Sequence, residues 1–154
     1  MTTKADVSPA NWAALVEAGP AIARAVSASG GSAGQSEQEL AAFIGFVGEA
    51  TIERGSEGLL GQLVADVAGT LAGGVEPPEG DVYADGLEKA RKAGAILAVE
   101  ADADEAAAIR DWLLAAARAV AAAARDGGVL GIGGADVSTW ERETIQSIAD
   151  ALGA

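Results

Sequence analysis

Apolar residues recur every three or four positions along most of this chain, which predicts a series of amphipathic helices. In the first half, helix one is expected to begin at Ser8, and Pro20 should kink it or split it in two. Helix two should begin at Ser36, where Glu39 completes a capping box. Helix three carries a leucine and valine stripe and should end at Gly73, followed by a second glycine.

The second half repeats the alternation of helices and short breaks. Helix four is expected from about Asp81 to Val99, and its last five residues could alternatively form a short buried strand. A long alanine-rich helix five should begin at Asp102. After a glycine-rich loop, helix six should begin at Ser138, with Glu141 completing a second capping box.

Composition supports an all-α fold. Half of the 154 residues are hydrophobic but only 4% are aromatic, and strand-forming residues are sparse. The expected fold is a single-domain bundle of six to seven helices over residues 1–154. Its halves, 8–74 and 81–154, are joined by a linker rich in proline and glycine at 75–80.

The two halves show signs of an internal repeat. The tetrapeptide Ala-Arg-Ala-Val at 23–26 recurs at 117–120, and each copy leads into a double glycine and then into a serine capping box. We therefore expect two pseudo-repeated helix–loop–helix halves that pack face to face about a pseudo-twofold axis.

The charge excludes several classes of function. A net charge of −13 should repel nucleic acids and anionic membrane surfaces. Because the chain has no cysteine and no histidine, thiol chemistry, zinc–thiolate sites and conventional catalytic triads are ruled out. No catalytic residue and no organic cofactor are predicted. The absence of a signal peptide or membrane-spanning pattern predicts a cytoplasmic protein.

Three acidic residues around the glycine-rich loop are candidate metal ligands: Asp126, Asp136 and Glu141. Carboxylate oxygens suit a hard cation such as Ca²⁺ or Mg²⁺. Their spacing does not match an EF-hand. The competing interpretation is structural, with Asp126 at a helix end, Asp136 in a turn and Glu141 in its capping box.

The glycine-rich loop itself, 127–134, follows a helix and lacks the pattern of a dinucleotide-binding or P-loop motif. Its apolar residues Val129, Leu130 and Ile132 either fold inward or contact a partner. Trp140, in the first turn of helix six, is expected to be the most exposed of the three tryptophans and a candidate partner contact.

The same region resembles the tellurite-resistance TerB-like all-helical family. The resemblance covers about the last third of the chain and is carried by these residues: Asp126-Gly127, Ser138, Glu141, Ile145, Ile148 and Leu152-Gly153. This chain departs from the family pattern by an insertion at 129–137 and by Ser29-Gly30 in the first copy. The resemblance implies a helical bundle, a divalent-cation role for acidic residues and an association with stress response.

The expected function is that of a non-catalytic helical module that acts through protein contacts or weak divalent-cation binding. One alternative is a metal-dependent enzyme that uses carboxylates alone, for which a pocket with three or more convergent acids would be required. The other is a homodimerisation module that uses the glycine-rich loop.

Overall fold

The computed structural model describes residues 2–30, 33–74, 76, 79–126 and 139–154, and at 33–36 and 124–126 it describes the backbone only. These residues form six α-helices and no strand, which confirms the all-α prediction. A short 3-10 turn at Lys4–Asp6 precedes helices α1 Pro9–Gly30, α2 Ala33–Arg54, α3 Gly58–Ala72, α4 Val82–Glu100, α5 Ala103–Asp126 and α6 Thr139–Leu152.

All six helices contribute to one hydrophobic core. Helices α1 and α5 each pack against the other five helices, and the most extensive pairing is that of α1 with α4. The core consists mainly of aliphatic and alanine side chains, as the low aromatic content predicts, with Phe43, Trp12 and Trp112 as its large rings. Each helix buries its apolar stripe against the others, so the hydrophobic effect holds the bundle together.

Small residues allow close approach between helices. A Cβ atom at Gly86 of α4 would stand 2.4 Å from the Cβ of Ala25 in α1. A Cβ atom at Gly94 would stand 2.7 Å from the carbonyl oxygen of Leu152 at the end of α6. The same carbonyl accepts a hydrogen bond of 2.9 Å from Nε of Arg110. Glycine is therefore needed at both positions for α4 to reach its neighbours.

Several predicted helix boundaries are confirmed. Asp81 precedes α4, and its side chain accepts a hydrogen bond from the backbone N–H of Ala84. Helix α3 ends at Ala72 and is followed by Gly73 and by Gly74, which has a left-handed φ of 82°. The segment that could have been a strand is helical, since α4 continues to Glu100.

The prediction for the start of helix two was wrong. Helix α2 begins at Ala33, so Ser36 lies inside the helix and cannot be its N-cap residue. The backbone hydrogen bonds of an additional helical turn outweigh the single bond that a serine cap supplies. Helix α1 continues through Pro20 to Gly30 without being split.

The two predicted hairpins, α1–α2 and α5–α6, are in contact and share the core. Their pseudo-twofold relationship remains a prediction. None of the described helices combines the length and the apolar character that a membrane crossing requires.

Candidate functional site

The residue that stands out chemically is Glu39, a carboxylate inside the bundle. Only 1% of its surface is exposed, and no described donor meets the full geometry of a hydrogen bond to either carboxylate oxygen, although the Ser27 hydroxyl lies close enough to affect its pKa. Burial raises the pKa of Glu39; the Ser27 hydroxyl lowers it in part, and the charge of Glu141 raises it further. An ionised carboxylate in such surroundings is costly unless a proton or a cation neutralises it.

Glu141 is the second acid at this place. It lies in the first turn of α6, is 4% exposed, and has Thr144 as a buried neighbour one turn further along. Its carboxylate lies against the backbone of Gly30 at the end of α1, where an added Cβ atom would stand 2.8 Å from Oε1 of Glu141. Glu141 thus lies against the end of α1, and its charge is near enough to Glu39, in the second turn of α2, to affect the pKa of that residue. We refer to these two residues as the Glu39–Glu141 pair.

The pair unites the two capping-box glutamates of the sequence pattern, although neither was predicted to be buried. For Glu39 a signal did exist. It continues the buried series Phe43, Val47 and Ala50 at i+4, i+8 and i+11, which places it on the inner face of α2. The serine three residues before it favoured the capping interpretation instead.

Of the three candidate metal ligands, the structure describes the side chain of Glu141 alone. Asp126 is the last residue of α5 and only its backbone is described; Asp136 lies outside the described residues. Among the described residues, no group of three or more acids, histidines or cysteines is placed to hold a metal ion. Whether Asp126 and Asp136 approach Glu141 stays a prediction.

Of the four candidate partner contacts, the structure describes only Trp140. Val129, Leu130 and Ile132 lie outside the described residues, so the loop-mediated dimer is not tested. Trp140 is 71% exposed, whereas Trp12 and Trp112 are buried, so the predicted ranking of the tryptophans is confirmed. Contact of Trp140 with a partner remains a prediction.

A groove between α2 and α5 brings three further acids to the surface. It has a volume of about 440 Å³ and is lined by Glu49, Glu53 and Asp111 together with apolar residues that include Trp112. All three acids are exposed, and they are not among any set of described residues that could share one metal ion. The groove therefore does not supply the convergent carboxylates that a metal-dependent enzyme would need.

Comparison of the chain with protein-family models, with curated proteins and with solved structures finds no match. The TerB-like resemblance rests on the residues named above and stays a prediction.

Proposed function

We propose that the protein is a non-catalytic helical module that binds a divalent cation weakly at the Glu39–Glu141 pair. The observation that carries the proposal is the Glu39 carboxylate, which is almost fully buried and to which no described donor meets the full geometry of a hydrogen bond. Such a group needs a neutralising partner. The neighbouring Glu141 raises the pKa of Glu39 and so makes this need greater.

A hard divalent cation would supply two positive charges to the two carboxylates. Ca²⁺ and Mg²⁺ both prefer oxygen ligands. The Ser27 hydroxyl is a further oxygen beside Glu39. A site with only two carboxylates has few charged ligands, so we expect weak binding, with a Kd on the order of 1 mM.

Cation binding here would act on the arrangement of helices. Glu39 belongs to α2. Glu141 belongs to α6 and also contacts the end of α1, so one ion bound by both residues would link three helices. The bound form would hold these helices more firmly than the free form. The affinity of any partner protein that binds this end of the bundle, including one that contacts the exposed Trp140, would then depend on the cation concentration.

The test is a titration with Ca²⁺ or Mn²⁺ followed by thermal unfolding. For a Kd near 1 mM, about 10 mM cation should stabilise the fold by ~1.4 kcal/mol and raise the Tm by roughly 3–6 °C. Because a chain with a charge of −13 is also stabilised by ionic screening, each point is compared with KCl at equal ionic strength.

Variants locate the effect. The double variant E39Q/E141Q should lose the cation-specific increase in Tm. The control E37Q/E143Q removes the same charge from exposed positions on the same two helices and should keep it. An absence of any shift beyond KCl, or an equal shift in both double variants, would overturn the proposal.

A further inference from the structure

The groove between α2 and α5 has a feature that the proposed cation site does not explain. The indole N–H of Trp112 is buried and has no acceptor among the described residues. The benzo edge of this ring faces α1, since Cη2 and Cζ3 lie 3.8 Å from the Cβ position of Gly19. The pyrrole edge, which carries Nε1, lies at the opposite end of the ring from Gly19, and Trp112 is one of the residues that line the groove.

The floor of the groove is aromatic. Phe46 and Trp112 pack with ring centroids 6.0 Å apart at an interplanar angle of 31°. Phe46 is only partly buried, and Leu60 of α3 lies beside it. This floor can receive the aliphatic part of a long side chain and can attract a cation through its ring electrons.

The rim of the groove is acidic. Glu49 and Glu53 are one turn apart on α2, so their like charges repel, and Asp111 lies on α5. None of the three forms an ion pair with a described residue. Arg54 is the one basic residue that lines the groove. The rim therefore favours a positively charged occupant.

We propose that the groove binds a basic segment of a partner protein. An arginine or lysine side chain of that segment lies along Phe46 with its charge among Glu49, Glu53 and Asp111. Because the indole N–H of Trp112 is buried, its ring turns toward the groove on binding, and a backbone carbonyl of the segment then accepts the hydrogen bond that this N–H lacks. The site is separate from the Glu39–Glu141 pair, because Glu39 and Glu53 are 14 residues, or about 21 Å, apart along α2.

The acidic rim requires a positive charge, and the indole N–H of Trp112 requires an acceptor oxygen. These two requirements together identify the class of occupant. A free polyamine has positive charge but no acceptor oxygen for the indole N–H. Free arginine or lysine carries a carboxylate, which the acidic rim repels. A peptide segment supplies a cation and a neutral carbonyl oxygen within a few ångströms of each other. The groove is smaller than a standard protein–protein interface, so the contact should be transient.

The probe is the acetylated and amidated peptide Ala-Arg-Ala-Arg-Ala, titrated into the ¹⁵N-labelled protein. The readout is the indole N–H signal of Trp112, assigned by its loss in the Trp112→Phe variant. The peptide should move this signal and leave that of Trp12 unchanged, because the Trp12 N–H already donates to Asp66 at 2.7 Å. A peptide with citrulline in place of arginine should bind at least about tenfold more weakly, since it lacks the charge.

Two triple variants separate the groove from general attraction to an acidic protein. E49Q/E53Q/D111N removes the rim, whereas D104N/E88Q/E143Q removes equal charge from exposed positions elsewhere. The first should weaken binding at least about tenfold, and the second less than about threefold. Equal weakening in both variants, an unmoved Trp112 signal, or an equal shift with spermidine would overturn the proposal.

Discussion

Glu39 of α2 and Glu141 of α6 lie close enough within the bundle that the charge of Glu141 contributes to the raised pKa of Glu39. Burial is the larger cause, and the Ser27 hydroxyl offsets part of the effect. The two acids come from opposite halves of the sequence and are both almost fully buried. Because burial makes the charged form of Glu39 costly, the stability of the fold depends on what neutralises this carboxylate.

The first prediction concerns the pH dependence of stability. Because the folded pKa of Glu39 is raised above its ordinary value of 4.5, the folded state holds the proton more tightly than the unfolded state. The contribution of Glu39 to stability is therefore fully present below pH 4.5 and is lost as pH rises through the folded pKa. Glu39→Gln should remove this loss and, in the presence of a chelator, stabilise the protein at pH 7 by about 1 kcal/mol.

Urea unfolding of the wild type and of Glu39→Gln between pH 4 and pH 8 measures this effect. The difference between the two proteins should grow with pH across the window above 4.5. Glu37→Gln, at an exposed position two residues away, is the matched control and should show little such growth. A difference that is constant over the whole pH range would contradict the prediction.

The second prediction concerns Asp66, which should respond to pH in the opposite direction. Its carboxylate accepts hydrogen bonds from Nζ of Lys4 at 2.5 Å and from Nε1 of Trp12 at 2.7 Å. These bonds, that of Lys4 first, lower the pKa of Asp66 below its ordinary value of 3.8. The contribution of the ionised Asp66 carboxylate to the stability of the fold is present above pH 3.8 and is lost as pH falls through the folded pKa.

Asp66→Asn should therefore destabilise the protein at pH 7, by about 1 kcal/mol because the carboxylate is partly open to solvent. The cost should shrink as pH falls below about 4. Unfolding followed by circular dichroism at pH 3 and pH 7 measures it, and the indole fluorescence of Trp12 should change in the same variant. An equal cost at both pH values would show that the charge of Asp66 has no part in the effect.

The sequence was sufficient to predict the fold class and most helix boundaries. Apolar periodicity and local signals such as Asp81 and Gly74 act within a few residues, so they can be recognised without the tertiary structure. The start of α2 was mispredicted because Ser36 and Glu39 match a capping pattern that says nothing of whether an earlier turn can form.

The candidate site was harder to predict than the fold. A glutamate at an inner-face position of a helix can be an exception to the apolar pattern, a capping residue or a functional residue. Only the packing of the neighbouring helices shows which of these roles it has. The proximity of Glu39 to Glu141 depends on how α2 and α6 each pack against α1 and α5, and Gly30 is the residue whose lack of a side chain admits Glu141. The unpartnered indole N–H of Trp112 is likewise a property of packing, which no short motif records.

The third prediction compares glycines that all lie in the interior of a helix but differ in the space around their Cβ positions. Gly45 and Gly48 lie inside α2, and a Cβ atom at either would meet nothing within 4 Å. The close helix contact that could have explained glycine there is absent from the described part of the chain. Each change to alanine should therefore stabilise the protein by about 1 kcal/mol, the difference in helix propensity, and raise the Tm by roughly 2–4 °C.

Gly86 and Gly94 lie inside α4 and would gain the same propensity, but their Cβ atoms would stand 2.4 Å from the Cβ of Ala25 and 2.7 Å from the oxygen of Leu152. Since α1 or the end of α6 would have to move, each change to alanine should destabilise the protein by about 1–3 kcal/mol. Thermal and urea unfolding of the four single variants isolates the packing effect, because the propensity gain is common to all. If Gly86→Ala were as stable as Gly45→Ala, the close contact between α1 and α4 would be wrong.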